Sequence, residues 1–115
     1  MTIPAHILDR FKAASGSGSW TDDPTTIAPH LVEWRERYRG TTPLMLTPKD
    51  LAAVERIVGL AHETRTPLVP QGGNTGLVGG QIPDGQILLS LGRMNRLRAL
   101  DAANDTLTVE AGAIL

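Results

Sequence analysis

The sequence predicts an α+β fold: a small parallel β-α-β subdomain with flanking helices, leading into the start of a mostly antiparallel subdomain. Three observations predict it. Two short apolar runs, "PLML" at 43–46 and "PLVP" at 67–70, flank an amphipathic stretch of helical length. Neither run alternates, as expected of parallel strands covered on both faces. After residue 97 the pattern changes to alternation, the period of an antiparallel strand with one wet face.

The elements follow in order. Pro4–Ala14 places Ile7, Leu8 and Phe11 on one helical face. "SGSGS" at 15–19 ends that helix and reads as a flexible connector. A second helix is expected from Ile27, Leu31, Trp34 and Tyr38, spaced four, three and four apart, with Thr25 or Thr26 as cap and Gly40 as stop. Pro29 is tolerable in it only near the start. In "TPKD", Thr47 is the expected cap, Pro48 the first helical residue and Asp50 the capping-box acid. The third helix should bury Leu51, Val54, Ile57, Val58 and Ala61, and end before Pro67. "QILLSL" at 86–91 is a further strand. "LRALD" at 97–101 and "TLTVEAG" at 106–112 form a hairpin around a turn at 102–105, with Leu107, Val109 and Ala111 on one face and Thr106, Thr108 and Glu110 on the other.

Composition narrows the function. A hydrophobic fraction of 41% supports a packed core, and a net charge of −1 offers no basic stripe for nucleic acid. There is no cysteine, which removes disulfides, thiolate nucleophiles and Cys-based metal sites. No apolar run approaches the roughly 18 residues of a membrane span, and the first residues lack the basic and apolar regions of a secretory signal. The expected location is the cytoplasm, with attachment at the periphery of the inner membrane as the alternative. His6, His30 and His62 have no ligand spacing, so no metal site is expected. Glu33 and Glu36, interspersed with Arg35, Arg37 and Arg39, read as a solvated helix face. Trp34 and Tyr38 read as core or subdomain contacts, Arg39 as a surface residue, and Glu110 as structural.

The stretch "PQGGNTGLVGG" at 70–80 carries the chemistry. Five of its last nine residues are glycine. That much backbone freedom answers either to unusual φ/ψ values or to a ligand lying against bare backbone. Consecutive N–H groups in such a loop can form a nest for an anion. Asn74 and Thr75 add an amide and a hydroxyl. No Lys or Arg lies inside it, which suits a diphosphate held statically by neutral donors. It is not a Walker loop, since no Lys follows its glycines, and not G-x-G-x-x-G, since it runs to Pro83 and a strand rather than into a helix. It sits after a parallel strand, at the sheet edge where α/β ligands bind. Ser90 ends another strand at the same edge, within reach of a ligand. Composition and spacing lead as far as a diphosphate-binding loop, with a mobile surface loop as the alternative.

"PLVPQGGNTGLVGG", then "ILLSLGRMN" and "LTVEAGAIL", resembles the FAD-binding domain of the vanillyl-alcohol-oxidase/p-cresol-methylhydroxylase flavoproteins, nearest to D-lactate and D-2-hydroxyglutarate dehydrogenases and the FAD subunit of glycolate oxidase. "WRERYRG" at 34–40 resembles the entry to that domain. The resemblance covers roughly residues 20–115 and implies a p-cresol-methylhydroxylase-type fold, truncated. It divides the chain into 1–19, an N-terminal helix and connector, and 20–115, the first part of the FAD-binding domain, with the remainder and the substrate domain absent. It implies that Pro70, Gln71, Gly72, Gly73, Asn74, Thr75, Gly76 and Leu77 wrap the FAD pyrophosphate, with Gly79 and Gly80 passing the flavin side. His62 is the nearest histidine in sequence and lies on the preceding helix, so FAD is expected to be non-covalent. The implied parent is an FAD-dependent dehydrogenase or oxidase. It would pass a hydride from C2 of a D-2-hydroxy acid to the flavin, and electrons onward to a quinone, cytochrome or flavoprotein. No catalytic or metal residue falls within these 115 residues, and alone they are expected to be inactive. The alternatives are a sister branch acting on an alcohol, sugar or aryl substrate, and a diphosphate-binding module without redox work.

Overall fold

The structure, a computed structural model, describes residues 2–115. A four-stranded sheet is built from β1 (Trp20–Thr21), β2 (Met45–Leu46), β3 (Leu68–Gln71) and β4 (Ile87–Ser90) in the order β1-β2-β4-β3. β2, β4 and β3 run parallel, and β1 pairs antiparallel with β2. The two strands expected to form the β-α-β unit are therefore parallel but not adjacent. β4 lies between them, in register Met45↔Leu88 and Val69↔Leu88.

β4 is central because it is apolar on both faces. Ile87 and Leu89 join Phe11, Leu44, Leu46, Ile57 and Leu60 in the larger core, while Leu88 turns to the other face with Ile27 and Met45. This is period-two alternation with cover on each side. Each fully buried side chain of this size contributes about 1.5–3 kcal/mol. The larger core is roofed by α1 (Ala5–Ser15) and α3 (Leu51–Thr64), which pack on each other. The "SGSGS" run is a packed turn: Ser15 and Ser19 are buried, and the Ser15 hydroxyl donates to the Ser19 carbonyl.

α3 differs from its expected start and face. Its cap is Asp50, whose carboxylate accepts the Ala53 N–H at 2.9 Å, rather than Thr47. The helix starts three residues later than expected, its buried stripe is Ala53, Ile57 and Leu60, and Leu51 and Val58 are about half exposed. The helix closes on Arg65 in the left-handed conformation.

The second helix is the main correction. Only Pro24–Ile27 (α2) is α-helical, followed by one 3-10 turn at Ala28–His30. Residues 31–40 fold back as an irregular loop, with a bridge between Val32 and Arg39 and the Gly40 N–H on the Leu31 carbonyl. Pro29 lacks the N–H that a continuing helix needs, and Glu36 adopts a φ of 57° that no helix accepts. Glu33 holds the loop. It is 1% exposed rather than solvated, and its carboxylate accepts the backbone N–H groups of Arg35, Arg37 and Tyr38. Burial pushes the Glu33 carboxyl up, but those N–H groups and the Arg35 charge outweigh it and hold the group below its ordinary 4.5. Trp34 is 81% exposed, so it is not a core residue of this chain, and Glu36 pairs with Arg39 on the surface.

β5 (Leu97–Asp101) and β6 (Thr106–Val109) form the expected antiparallel hairpin. Both of its faces are exposed, not one, because no other element of the described chain covers Leu97, Leu100, Leu107 or Val109. Glu110 leaves the strand and is buried. It accepts from Arg96 and Arg98, which anchor the hairpin base.

Candidate functional site

The three parallel strands end at one edge of the sheet, and their C-terminal loops meet there. A cleft of about 440 Å³ opens between Gly72–Asn74 after β3, Ser90 and Gly92 after β4, and Gly112–Ile114 near the C-terminus, with His30 and Asn95 at its sides. No Lys, Arg, Asp or Glu lines it.

Two side-chain amides, Gln71 buried and Asn74 half-buried, set the shape of the loop. Gln71, 1% exposed, donates from Nε2 to the carbonyls of His30 (2.9 Å) and Gln81 (3.1 Å), and its Oε1 lies 2.8 Å from His30 Nδ1. Asn74 stands in the left-handed region at φ 56°. Asparagine tolerates this conformation better than most residues. Its Nδ2 donates to the Val32 carbonyl at 2.9 Å, and its Oδ1 accepts from Gln81 Nε2 at 3.0 Å. Both amide side chains thus tie the loop to its neighbours. Asn74 was expected to offer its side-chain amide to phosphate, but that amide is spent holding the loop, which leaves its backbone N–H for a ligand.

The backbone supplies unpaired donors at the cleft. Among the described residues, the N–H groups of Gly72, Gly73, Asn74 and Thr75 find no protein acceptor. Neither Gly72 nor Gly73 has a left-handed φ, so the turn alone does not demand glycine at either position. What both require is space. A Cβ on Gly73 would stand 2.7 Å from the Ile114 side chain, inside the cleft. Gly112, on the opposite wall, is fixed more strictly, since a Cβ there would lie 1.8 Å from the Leu91 carbonyl oxygen. Bare, unpaired N–H groups in a cleft that no carboxylate lines are what a diphosphate requires. The residues present fit that group.

The eight residues expected to wrap it do not all face one way. Gly72, Gly73 and Asn74 line the cleft; Pro70 and Gln71 end β3, and Gln71 is buried behind the loop. Gly76 turns away, its carbonyl accepting from Gln81 Nε2 at 2.7 Å. Thr75 is exposed and Leu77 half-buried, and neither lines the cleft. Gly79, at φ 85°, lies against the Tyr38 ring, where a Cβ would stand 2.8 Å from it, on a separate depression with Arg37 and Arg39. Ser90 is at the cleft, as its position at the strand end predicts.

His30 is the cleft residue that sequence reasoning missed. His62 is nearest to the loop in sequence but sits exposed on α3; His30 is the histidine that touches the loop in space. No sequence signal pointed to it, because the contact spans 41 positions and depends on the 3-10 turn. Among the described residues no three potential metal ligands cluster, and no helix is long and apolar enough to cross a membrane.

The FAD binding domain family matches residues 42–115. A probable mitochondrial D-2-hydroxyglutarate dehydrogenase of Oryza sativa subsp. indica is 38% identical over 106 residues, covering 91% of this chain and 19% of that protein. A putative mitochondrial D-lactate dehydrogenase of Schizosaccharomyces pombe is 39% identical over 94 residues, covering 81% of this chain and 18% of that protein. The chain therefore spans about a fifth of the length of the curated relatives it matches. The crystal structure of p-cresol methylhydroxylase with substrate bound superposes with a TM-score of 0.75 at 21% identity, over 94% of this chain and 22% of that one, a likeness of fold.

Proposed function

Because the chain belongs to the FAD binding domain family, we propose that its cleft holds the FAD diphosphate as part of a parent enzyme that oxidises a D-2-hydroxy acid to the 2-oxo acid. One observation carries the placement: Gly72, Gly73 and Asn74, whose N–H groups have no protein acceptor, line an uncharged cleft at the C-terminal edge of a parallel sheet. The names of the relatives support the substrate class, since D-2-hydroxyglutarate and D-lactate are both D-2-hydroxy acids. When bound, FAD supplies the two-electron chemistry. The chain's own part is to bind and orient. Backbone donors meet the diphosphate, Gln71 and Asn74 hold the loop that presents them, and Gly112 brings the opposite wall close. Pro70, Thr75, Gly76 and Leu77 complete the loop as its frame. No residue of the chain is assigned a catalytic role.

FAD is proposed to be non-covalent. Acid precipitation of the protein should leave the yellow colour in the supernatant, and colour retained in the pellet would overturn this. Residues 1–19 are proposed as an N-terminal element preceding the FAD-binding part at 20–115. The cytoplasm is proposed as the compartment on the cysteine-free composition, and cell fractionation tests it.

The deciding experiment uses the full-length parent under anaerobic conditions, with D-lactate, D-2-hydroxyglutarate and glycolate added in turn. Bleaching of the visible flavin bands by one of them supports the proposal and names the acid. A second reading, oxidation of an aryl or alcohol substrate, draws on the fold likeness to p-cresol methylhydroxylase. Flavin bands that no hydroxy acid bleaches would favour it.

A further inference from the structure

We infer that His30 meets the ligand in the cleft and couples its binding to uptake of a proton. The inference rests on the diphosphate reading of the cleft given above.

Its first support is a fixed tautomer. The Gln71 amide nitrogen faces two carbonyls, those of His30 and Gln81, so its orientation is set and Oε1 is the atom that faces His30. An amide oxygen only accepts, so His30 Nδ1 must carry a hydrogen. The neutral ring then has its lone pair on Nε2, which has no partner among the described residues. In that state Nε2 offers electrons, not a hydrogen, to whatever occupies the cleft.

The second support is the charge inventory. His30 lines the cleft beside Gly72 and Gly73, and it is the one side chain there that can become cationic. The charged groups nearby on its other side are Glu33 and Glu36, which share a second depression with it. Both are engaged elsewhere: the Glu33 carboxylate by three backbone N–H groups, and Glu36 by Arg39 at 3.2 Å. A dianionic diphosphate brought into a cleft without any other cation favours the imidazolium. Nδ1–H keeps its bond to Gln71, and Nε2 gains a hydrogen to donate to a phosphate oxygen. Binding then draws that proton from solvent.

The consequence has a definite sign. A group whose pKa rises on binding makes affinity highest at low pH, and affinity falls as pH passes from the free to the bound pKa.

The test uses the full-length protein, stripped of flavin and titrated with FAD calorimetrically at pH 7 in two buffers of different ionisation enthalpy. The difference in heat counts protons taken up. Wild type is expected to take up a substantial fraction of one proton, and its Kd to rise about tenfold between pH 5.5 and 8.5. His30→Gln is expected to take up none and to bind with a weak, flat profile, while His62→Gln matches wild type. FAD binding without proton uptake in wild type would overturn the inference and leave the diphosphate reading standing, whatever the variants do. Equal uptake in wild type and His30→Gln would overturn it as well. Failure of wild type to bind FAD at any pH would overturn the reading of the cleft and the inference with it.

Discussion

Replacing Gln71 with leucine removes the member of the site on which most of the loop depends. The side chain is 1% exposed and makes three hydrogen bonds, two as donor and one as acceptor. Leucine fills nearly the same volume, so no large cavity opens. What is lost is polar pairing: the carbonyls of His30 and Gln81 lose a donor, and His30 Nδ1 loses its acceptor. Each contributes about 1 kcal/mol net, more where the abandoned partner stays buried, so the total is about 3 kcal/mol. The three share one residue, so the whole is measured at once rather than summed from single variants. In urea unfolding of the 115-residue chain, with a slope of about 1.5 kcal/mol/M for a domain this small, the midpoint should fall by about 2 M. Thr75→Ala, on an exposed side chain of the same loop with no hydrogen bond, should stay within about 0.5 kcal/mol of wild type. A Gln71→Leu midpoint equal to that of Thr75→Ala would refute the claim that side-chain amides, rather than the glycines, hold the loop.

Leu88→Ala, in the middle strand and with no exposure, should cost about 2–5 kcal/mol in the same assay. Gly112→Ala drives a methyl against the Leu91 carbonyl, 1.8 Å away; stability should fall by about 1–3 kcal/mol as the wall shifts, and FAD binding by the full-length protein should weaken with it. Gly73→Val meets side-chain atoms and no backbone, the nearest being Ile114 Cγ1 at 2.7 Å, so folding monitored by circular dichroism should survive while the Kd for FAD in the full-length protein rises at least about tenfold, equivalent to about 1.4 kcal/mol. Glu110, held at about 2 by the Arg98 and Arg96 hydrogen bonds against the effect of burial, binds its proton more weakly folded than unfolded. Its contribution is therefore present above the unfolded value near 4.5 and is lost as pH falls toward 2. The difference in melting temperature between wild type and Glu110→Gln should be full at pH 7 and shrink toward zero near pH 2.

The parts of this fold that were legible in the sequence are those governed by apolar pattern. Phe11 with Ile7 and Leu8, Ile57 in α3, and the run at 87–90 each had one stable way to be covered, and the parallel sheet with its glycine loop at the C-terminal edge followed. The misreadings have local causes. Ile27, Leu31, Trp34 and Tyr38 carry helical spacing, but Pro29 removes a helix donor and the Glu33 carboxylate captures three N–H groups that a helix would have used. An acid that binds its own following backbone looks, in sequence, the same as one on a solvated face. The two-residue strand Trp20–Thr21 had no periodicity to reveal it. Within the site, the glycines pointed correctly to bare backbone, but the roles of Gln71 and Asn74 were inverted, since both turn inward to frame the loop. His30 was out of reach because its partner lies 41 residues away.

The central claim, that the cleft beside Gly72–Asn74 cradles the FAD diphosphate, is tested most directly by a crystal structure of the full-length protein with its flavin. The account predicts diphosphate oxygens within about 3 Å of the backbone nitrogens of Gly72 and Gly73, with Gln71 still bonded to His30 behind them. A flavin whose diphosphate lies elsewhere, with those N–H groups facing only water, would contradict it.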